Sequence, residues 1–234
     1  MTDPLTLLDL TSLNDGDDAA TVRALAAKAV VTDGRHVAAL CINPDLVEVA
    51  VEAVAGTGVL VATVANFPAG ADDPDAAARE AAAAVAAGAD EVDVVAPWQA
   101  HAAGDAEAVA RLVRATAEAC DGRTLKVILE TGSHTDAGAT RAMADAALES
   151  GAHFLKTSTG KVGPGASPEA AQVLLEAVRD FGRGGVKVSG GVRTADDADA
   201  YVAQAERILG TAVTPQTYRI GASSLLDALL EREA

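Results

Sequence analysis

The chain has 234 residues, 50% of them hydrophobic, and carries 18 basic against 34 acidic side chains, a formal charge of −16. That apolar content can build a sizeable core and excludes a disordered chain, while so acidic a surface repels nucleic acid and anionic lipid. There is no run of about 20 uncharged apolar residues, no basic segment after Met1, and only two cysteines, Cys41 and Cys120, so the expectation is a reduced cytoplasmic protein without membrane or nucleic-acid partners.

In chain order, the opening segment 5–13 reads as a lid or plug ahead of the first strand. Short β-branched runs then predict strands at 36–42, 58–64, 91–96, 125–130, 153–157, 185–188, 207–209 and 218–220, the seventh having the weakest pattern. Alanine-rich helical runs lie between them. Asp73-Pro74 and Ser167-Pro168 each place a cap before a proline at the first helical position, and Thr194 with Asp197 forms a capping-box pattern. Strands alternating with helices imply parallel pairing through right-handed crossovers. Eight units at about 29 residues each fit a compact TIM (β/α)8 barrel. A doubly wound open sheet is the rival, but no glycine-rich fingerprint follows the first strand. No Pro-, Gly- or Ser-rich linker divides the chain, so residues 1–234 read as one domain.

Lysine is scarce: Lys28, Lys126, Lys156, Lys161 and Lys187 stand against thirteen arginines. Lys156 and Lys187 fall late in consecutive predicted strands, where both amines can point inward at one end. Two cations at close range depress one pKa, and a neutral amine can attack a carbonyl to form a Schiff base. A single buried lysine more often neutralises a carboxylate; the pair on adjacent strands favours the chemical role. Asp93, inside an apolar strand, is costly there unless paired, and it can pair with a lysine and relay protons. Glu91 and Lys126 lie lower and read as a buried ion pair. Three loops suit phosphate: 157–161, 189–191 and 221–224, where glycines let backbone amides approach an anion. The four histidines show no metal spacing, and no nucleophile elbow or Walker loop is present. Asp15, Asp17 and Asp18 read as a solvated loop, and Cys41 as a packed thiol.

These pieces together resemble the 2-deoxyribose-5-phosphate aldolases, the class I Schiff-base aldolases of deoxynucleoside catabolism. The resemblance covers LLDLTSLN at 7–14, ALCINP at 39–44, ATVANFP at 62–68, GADEVDVV at 88–95, KVILET at 126–131, FLKTSTGK at 154–161, GGVRT at 190–194 and YRIGASS at 218–224. It implies Lys156 as the Schiff-base lysine, Lys187 as the lysine that lowers its pKa, and Asp93 as the acid/base carboxylate working through a water. It further implies Asp9, Thr11 and Thr159 at the substrate. Gly160, Lys161, Gly190, Gly191, Ser223 and Ser224 would hold the phosphate. The partners implied are a phosphosugar and acetaldehyde, with no cofactor and no metal. Relatives are often dimers, and a homodimer is the expectation the resemblance carries. Val188 and Ser189 stand where some relatives have Pro-Ala, a change expected to shift that loop. The longer tyrosine-terminated tail of some members is absent here, so enamine protonation is expected to be slower or to use solvent. The alternatives are another Schiff-base phosphosugar aldolase or transaldolase, and a non-catalytic phosphosugar-binding barrel.

Overall fold

A computed structural model describes residues 2–134 and 136–233. The strands are β1 (Leu8–Ser12), β2 (Ala39–Ile42), β3 (Leu60–Ala65), β4 (Glu91–Val95), β5 (Thr124–Ile128), β6 (Phe154–Lys156), β7 (Gly185–Ser189) and β8 (Tyr218–Ala222). The helices are α1 (Ala19–Ala29), α2 (Val47–Ala53), α3 (Pro74–Ala86), α4 (Trp98–Ala102), α5 (Ala108–Ala119), α6 (Ala137–Glu149), α7 (Pro168–Phe181), α8 (Ala195–Leu209) and α9 (Leu225–Glu233). Strands pair in parallel in chain order and β8 returns to β1, Leu8 opposite Ile220, so the sheet closes into the expected TIM barrel. None of the helices among the described residues is long and apolar enough to cross a membrane.

Two expected elements are corrected. The segment 5–13 is not a lid: a 3-10 turn at Pro4–Leu7 leads directly into β1, which is hydrogen-bonded between β2 and β8. Polar Asp9 and Thr11 alternate with Leu8 and Leu10, as a strand requires when its inner face meets a charged lumen. Residues 207–209 are the last turn of α8, not a strand. Ile208 and Leu209 pack against the core from that turn, continuing a helical stripe of Ala195, Ala198, Val202 and Ala205.

The expected helix ends are present. Asp73 accepts from the Ala76 amide and Ser167 from the Ala170 amide, and Thr194 and Asp197 complete a reciprocal capping box. Gly182 ends α7 at φ +81°, a left-handed C-cap.

The core has two parts. The larger lies between barrel and helices and is built of Leu, Val and Ala. The smaller lies inside, where Leu13, Ala39, Cys41, Ala62 and Val64 pack together with Phe67 against them. Small apolar residues of β2 and β3 thus fill one side of the lumen. Charged residues of β1, β4, β5, β6, β7 and β8 fill the other.

Candidate active site

Strand register assembles the charged side. Asp93 is opposite Lys126, Lys156 opposite Lys187, and Lys187 opposite Arg219. Partners in register on parallel strands share a face, so all these side chains enter the lumen. Asp93 is the hub. Its Oδ1 lies 2.8 Å from Lys126 Nζ, and its Oδ2 lies 2.8 Å from Lys156 Nζ and 2.7 Å from Lys187 Nζ. Asp9 sits beneath, paired with Lys187 and, at 2.6 Å, with Arg219 Nη1. Glu91 pairs with Lys126 at 2.6 Å, as expected, and also with Arg219 at 2.7 Å.

The charge balance of this cluster decides which lysine holds its proton least tightly. Four cationic groups (Lys126, Lys156, Lys187, Arg219) face three carboxylates (Asp9, Glu91, Asp93), so one proton is in excess. Burial opposes every charge here, but Asp9 and Asp93 hold Lys187 well above the ordinary lysine range. Asp93, Glu91 and Asp9 likewise outweigh burial at Lys126. At Lys156 burial wins: it pushes the ammonium down against the pull of Asp93, and Lys187 adds repulsion. Lys156 is therefore the lysine of the cluster whose proton is held least tightly. Burial alone would raise Asp93, yet the ammoniums of Lys126, Lys156 and Lys187 hold it well below the usual carboxylate range.

Lys156 is also the lysine of the cluster that reaches open space. It forms the floor of a cavity of about 280 Å³ at the C-terminal ends of the strands. The loops after β1, β6, β7 and β8 wall this cavity. Thr11, Thr159, Gly160, Lys161, Gly190, Gly191, Ser223 and Ser224, all expected at the substrate or its phosphate, line it together. Asp9, Asp93 and Lys187 lie behind Lys156 instead, fully buried.

The glycines have specific work here. Gly160, Gly190 and Gly191 have φ of +74°, +86° and +93°, which L side chains avoid. Gly165 packs so close to the Gly190 carbonyl that a Cβ would overlap it, and the Ala166 amide donates to Ser189 and Gly190 oxygens. The departure at Ser189 also has a physical account. Its amide donates to Thr157 Oγ1 at 3.0 Å and its hydroxyl to the Ser158 carbonyl, which ties β7 to the end of β6.

Arg193 and Arg219 were missed from sequence. Arg193 lines the cavity and forms no ion pair among the described residues. A cation next to a Gly-Gly turn in so acidic a chain was the available signal. Lys126 does more than pair with Glu91, since it also neutralises Asp93. Arg219, under the cluster, had only its place in an apolar strand to mark it. Cys41 is the packed thiol expected, fully buried within the inner apolar cluster, and burial raises its pKa.

A closed parallel barrel with a buried lysine at its C-terminal mouth, its pKa lowered by burial, has the makings of a lyase that works through an amine. The comparison with known proteins narrows this. Residues 5–231 match the model of the DeoC/LacD family aldolases, and the chain belongs to that family. Among solved structures it is similar to a provisionally named deoxyribose-phosphate aldolase of Coccidioides immitis, at 31% identity and TM-score 0.87, over 98% of this chain and 85% of that one. It is similar to an aldolase designated QR15, at 26% identity and TM-score 0.84, over 100% and 98% of the two chains. It is also similar to a deoxyribose phosphate aldolase of Aeropyrum pernix, at 27% identity and TM-score 0.82, over 98% and 91%.

Proposed function

We propose that this aldolase, with residues 1–234 acting as one domain, reversibly cleaves 2-deoxy-D-ribose 5-phosphate to D-glyceraldehyde 3-phosphate and acetaldehyde. The observation that carries the reading is Lys156: a buried amine in register with the cationic Lys187, at the floor of a cavity walled by Lys161, Arg193 and glycine turns suited to phosphate.

Neutral Lys156 attacks C1 of the open-chain aldehyde, and loss of water leaves an iminium. Asp93, through a water, takes the proton of the C3 hydroxyl. The C2–C3 bond breaks, its electron pair moves toward the iminium, and C3 becomes the aldehyde of glyceraldehyde 3-phosphate. The enamine left on Lys156 is protonated at C2, and hydrolysis frees acetaldehyde and the lysine. The iminium is the electron sink, so this route draws on no metal or cofactor. Lys187 and Lys126 keep Asp93 ionised between proton transfers.

The test is borohydride reduction in the presence of acetaldehyde, followed by peptide mapping. A reduced ethyl adduct on Lys156, lost in K156A together with turnover, is expected. An adduct on Lys187 would reverse the two roles, and no specific adduct on folded protein would sink the proposal. A panel of phosphosugars then settles the substrate, since only the deoxyribose reading yields acetaldehyde.

A further inference from the structure

Glu130 follows β5 in a conformation that glutamate rarely adopts. Its backbone is left-handed, with φ +49° and ψ +50°. Its side chain is fully buried, and unlike the lumen carboxylates it has no cation in salt-bridge contact among the described residues. Burial pushes its carboxyl above the ordinary glutamate range, against hydrogen bonds from Thr159 and the pull of Lys156. A strained backbone and an unneutralised buried carboxyl are both adverse, and neither has a part in the chemistry described above.

What Glu130 does hold is Thr159. The Thr159 amide donates to its carboxylate oxygens at 3.2 and 3.4 Å. Thr159 Oγ1 in turn accepts from the amides of Lys161, at 3.0 Å, and Val162, at 3.3 Å. The string runs without a break from the end of β5 to the turn that puts Gly160 and Lys161 into the cavity wall. Two neighbouring contacts brace the same pair of loops. The Thr131 amide donates to the Thr157 carbonyl at 2.9 Å, and Gly132 packs against the Pro164 carbonyl with no room for a Cβ. A carboxylate beside an anion pocket has the wrong sign to attract phosphate, so its value there lies in accepting hydrogen bonds.

We propose that Glu130 is the positioning residue of the phosphate wall: from its buried left-handed position it fixes Thr159, and through Thr159 the turn that presents Gly160 and Lys161. This rests on the aldolase reading above, which assigns phosphate to that wall.

The test compares E130Q, E130A and E130G in the full chain. E130Q keeps an acceptor oxygen and removes the charge. E130A removes both. E130G removes both and relieves the left-handed strain, so a truncation remains readable if E130A fails to fold. The readouts are kcat and KM for 2-deoxyribose 5-phosphate, kcat/KM for unphosphorylated 2-deoxyribose, and Kd for inorganic phosphate. E130A and E130G should raise KM for the phosphorylated sugar and Kd for phosphate about tenfold or more, with kcat and the unphosphorylated sugar within about twofold. E130Q should stay within about twofold of the parent throughout. Equal losses on both sugars, an E130Q as damaging as the truncations, or an unchanged phosphate Kd would overturn the proposal. If the parent protein cleaves neither sugar and takes no label from acetaldehyde at Lys156, the aldolase reading fails, and phosphate Kd still decides the role of Glu130.

Discussion

At the scale of single residues, Lys156 and Asp93 make opposite demands on stability. Lys156 has its pKa lowered on folding, mainly by burial, so its charge is held at a cost in the folded chain that the unfolded chain does not bear. Removing the amine should therefore help the fold. K156M is expected to raise Tm while abolishing acetaldehyde trapping, a trade of stability against activity that differential scanning calorimetry reads directly. D93A leaves three buried lysines without their hub and should cost about 3–5 kcal/mol in urea unfolding. The sign of the rate profile follows from the same groups. Below the folded pKa of Lys156 the amine is protonated and inert, so kcat/KM rises with pH through that value. K187L deletes a cation that helps hold Lys156 down, so its acid limb should move to higher pH as well as to lower rate. A K187L profile that falls without shifting would remove Lys187 from the tuning of Lys156.

At the scale of elements, the site depends on two loops staying locked together. Gly165 does not need a left-handed backbone, yet an added Cβ would meet the Gly190 carbonyl. G165A should therefore fold but push the β6–α7 and β7–α8 loops apart. Since a displacement of about 1 Å can cost up to ~10²-fold, KM for the phosphorylated substrate is expected to rise about tenfold, with Tm lowered only modestly. How much of this was readable in advance divides along physical lines. Strand-to-helix alternation, the caps at Asp73, Ser167 and Thr194, and the lysine pair were legible because local patterns encode them. The first strand was not, because the usual signal for a strand is apolar alternation, and Asp9 and Thr11 point into a charged interior. Residues 207–209 misled for the converse reason: a short Arg-Ile-Leu run has no period of its own, and only the helical stripe before it places it in α8. The hub at Asp93 was partly legible. Its pairing with a lysine could be expected, but three lysines on one carboxylate is a property of barrel closure that no local window contains. Glu130 carried no signal, since a left-handed glutamate looks like any other glutamate in a sequence.

At the scale of the whole molecule, the lumen cluster sets the response to acid. Asp9 and Asp93 are held below the ordinary carboxylate range by buried cations despite the opposing effect of burial. Their contribution is complete above the unfolded carboxylate pKa of about 4 and is lost as pH falls toward the folded values. The urea midpoint should therefore drop steeply below about pH 4, and a D93N chain, lacking one of the two titrating groups, should show a shallower slope there. The barrel seam has a further consequence in time. Asp9 lies on the first strand, and its Arg219 partner is 210 residues away on the last. On a ribosome adding about 5–20 residues per second, Asp9 is made roughly 10–40 s before that arginine exists. Until Lys126 is made, Asp9, Glu91 and Asp93 have no lysine of the cluster to meet them, and through the whole interval the sheet has two open edges. Closure of the barrel and the arginine pairs of Asp9 and Glu91 therefore arrive as one late event, when the eighth strand is finally made.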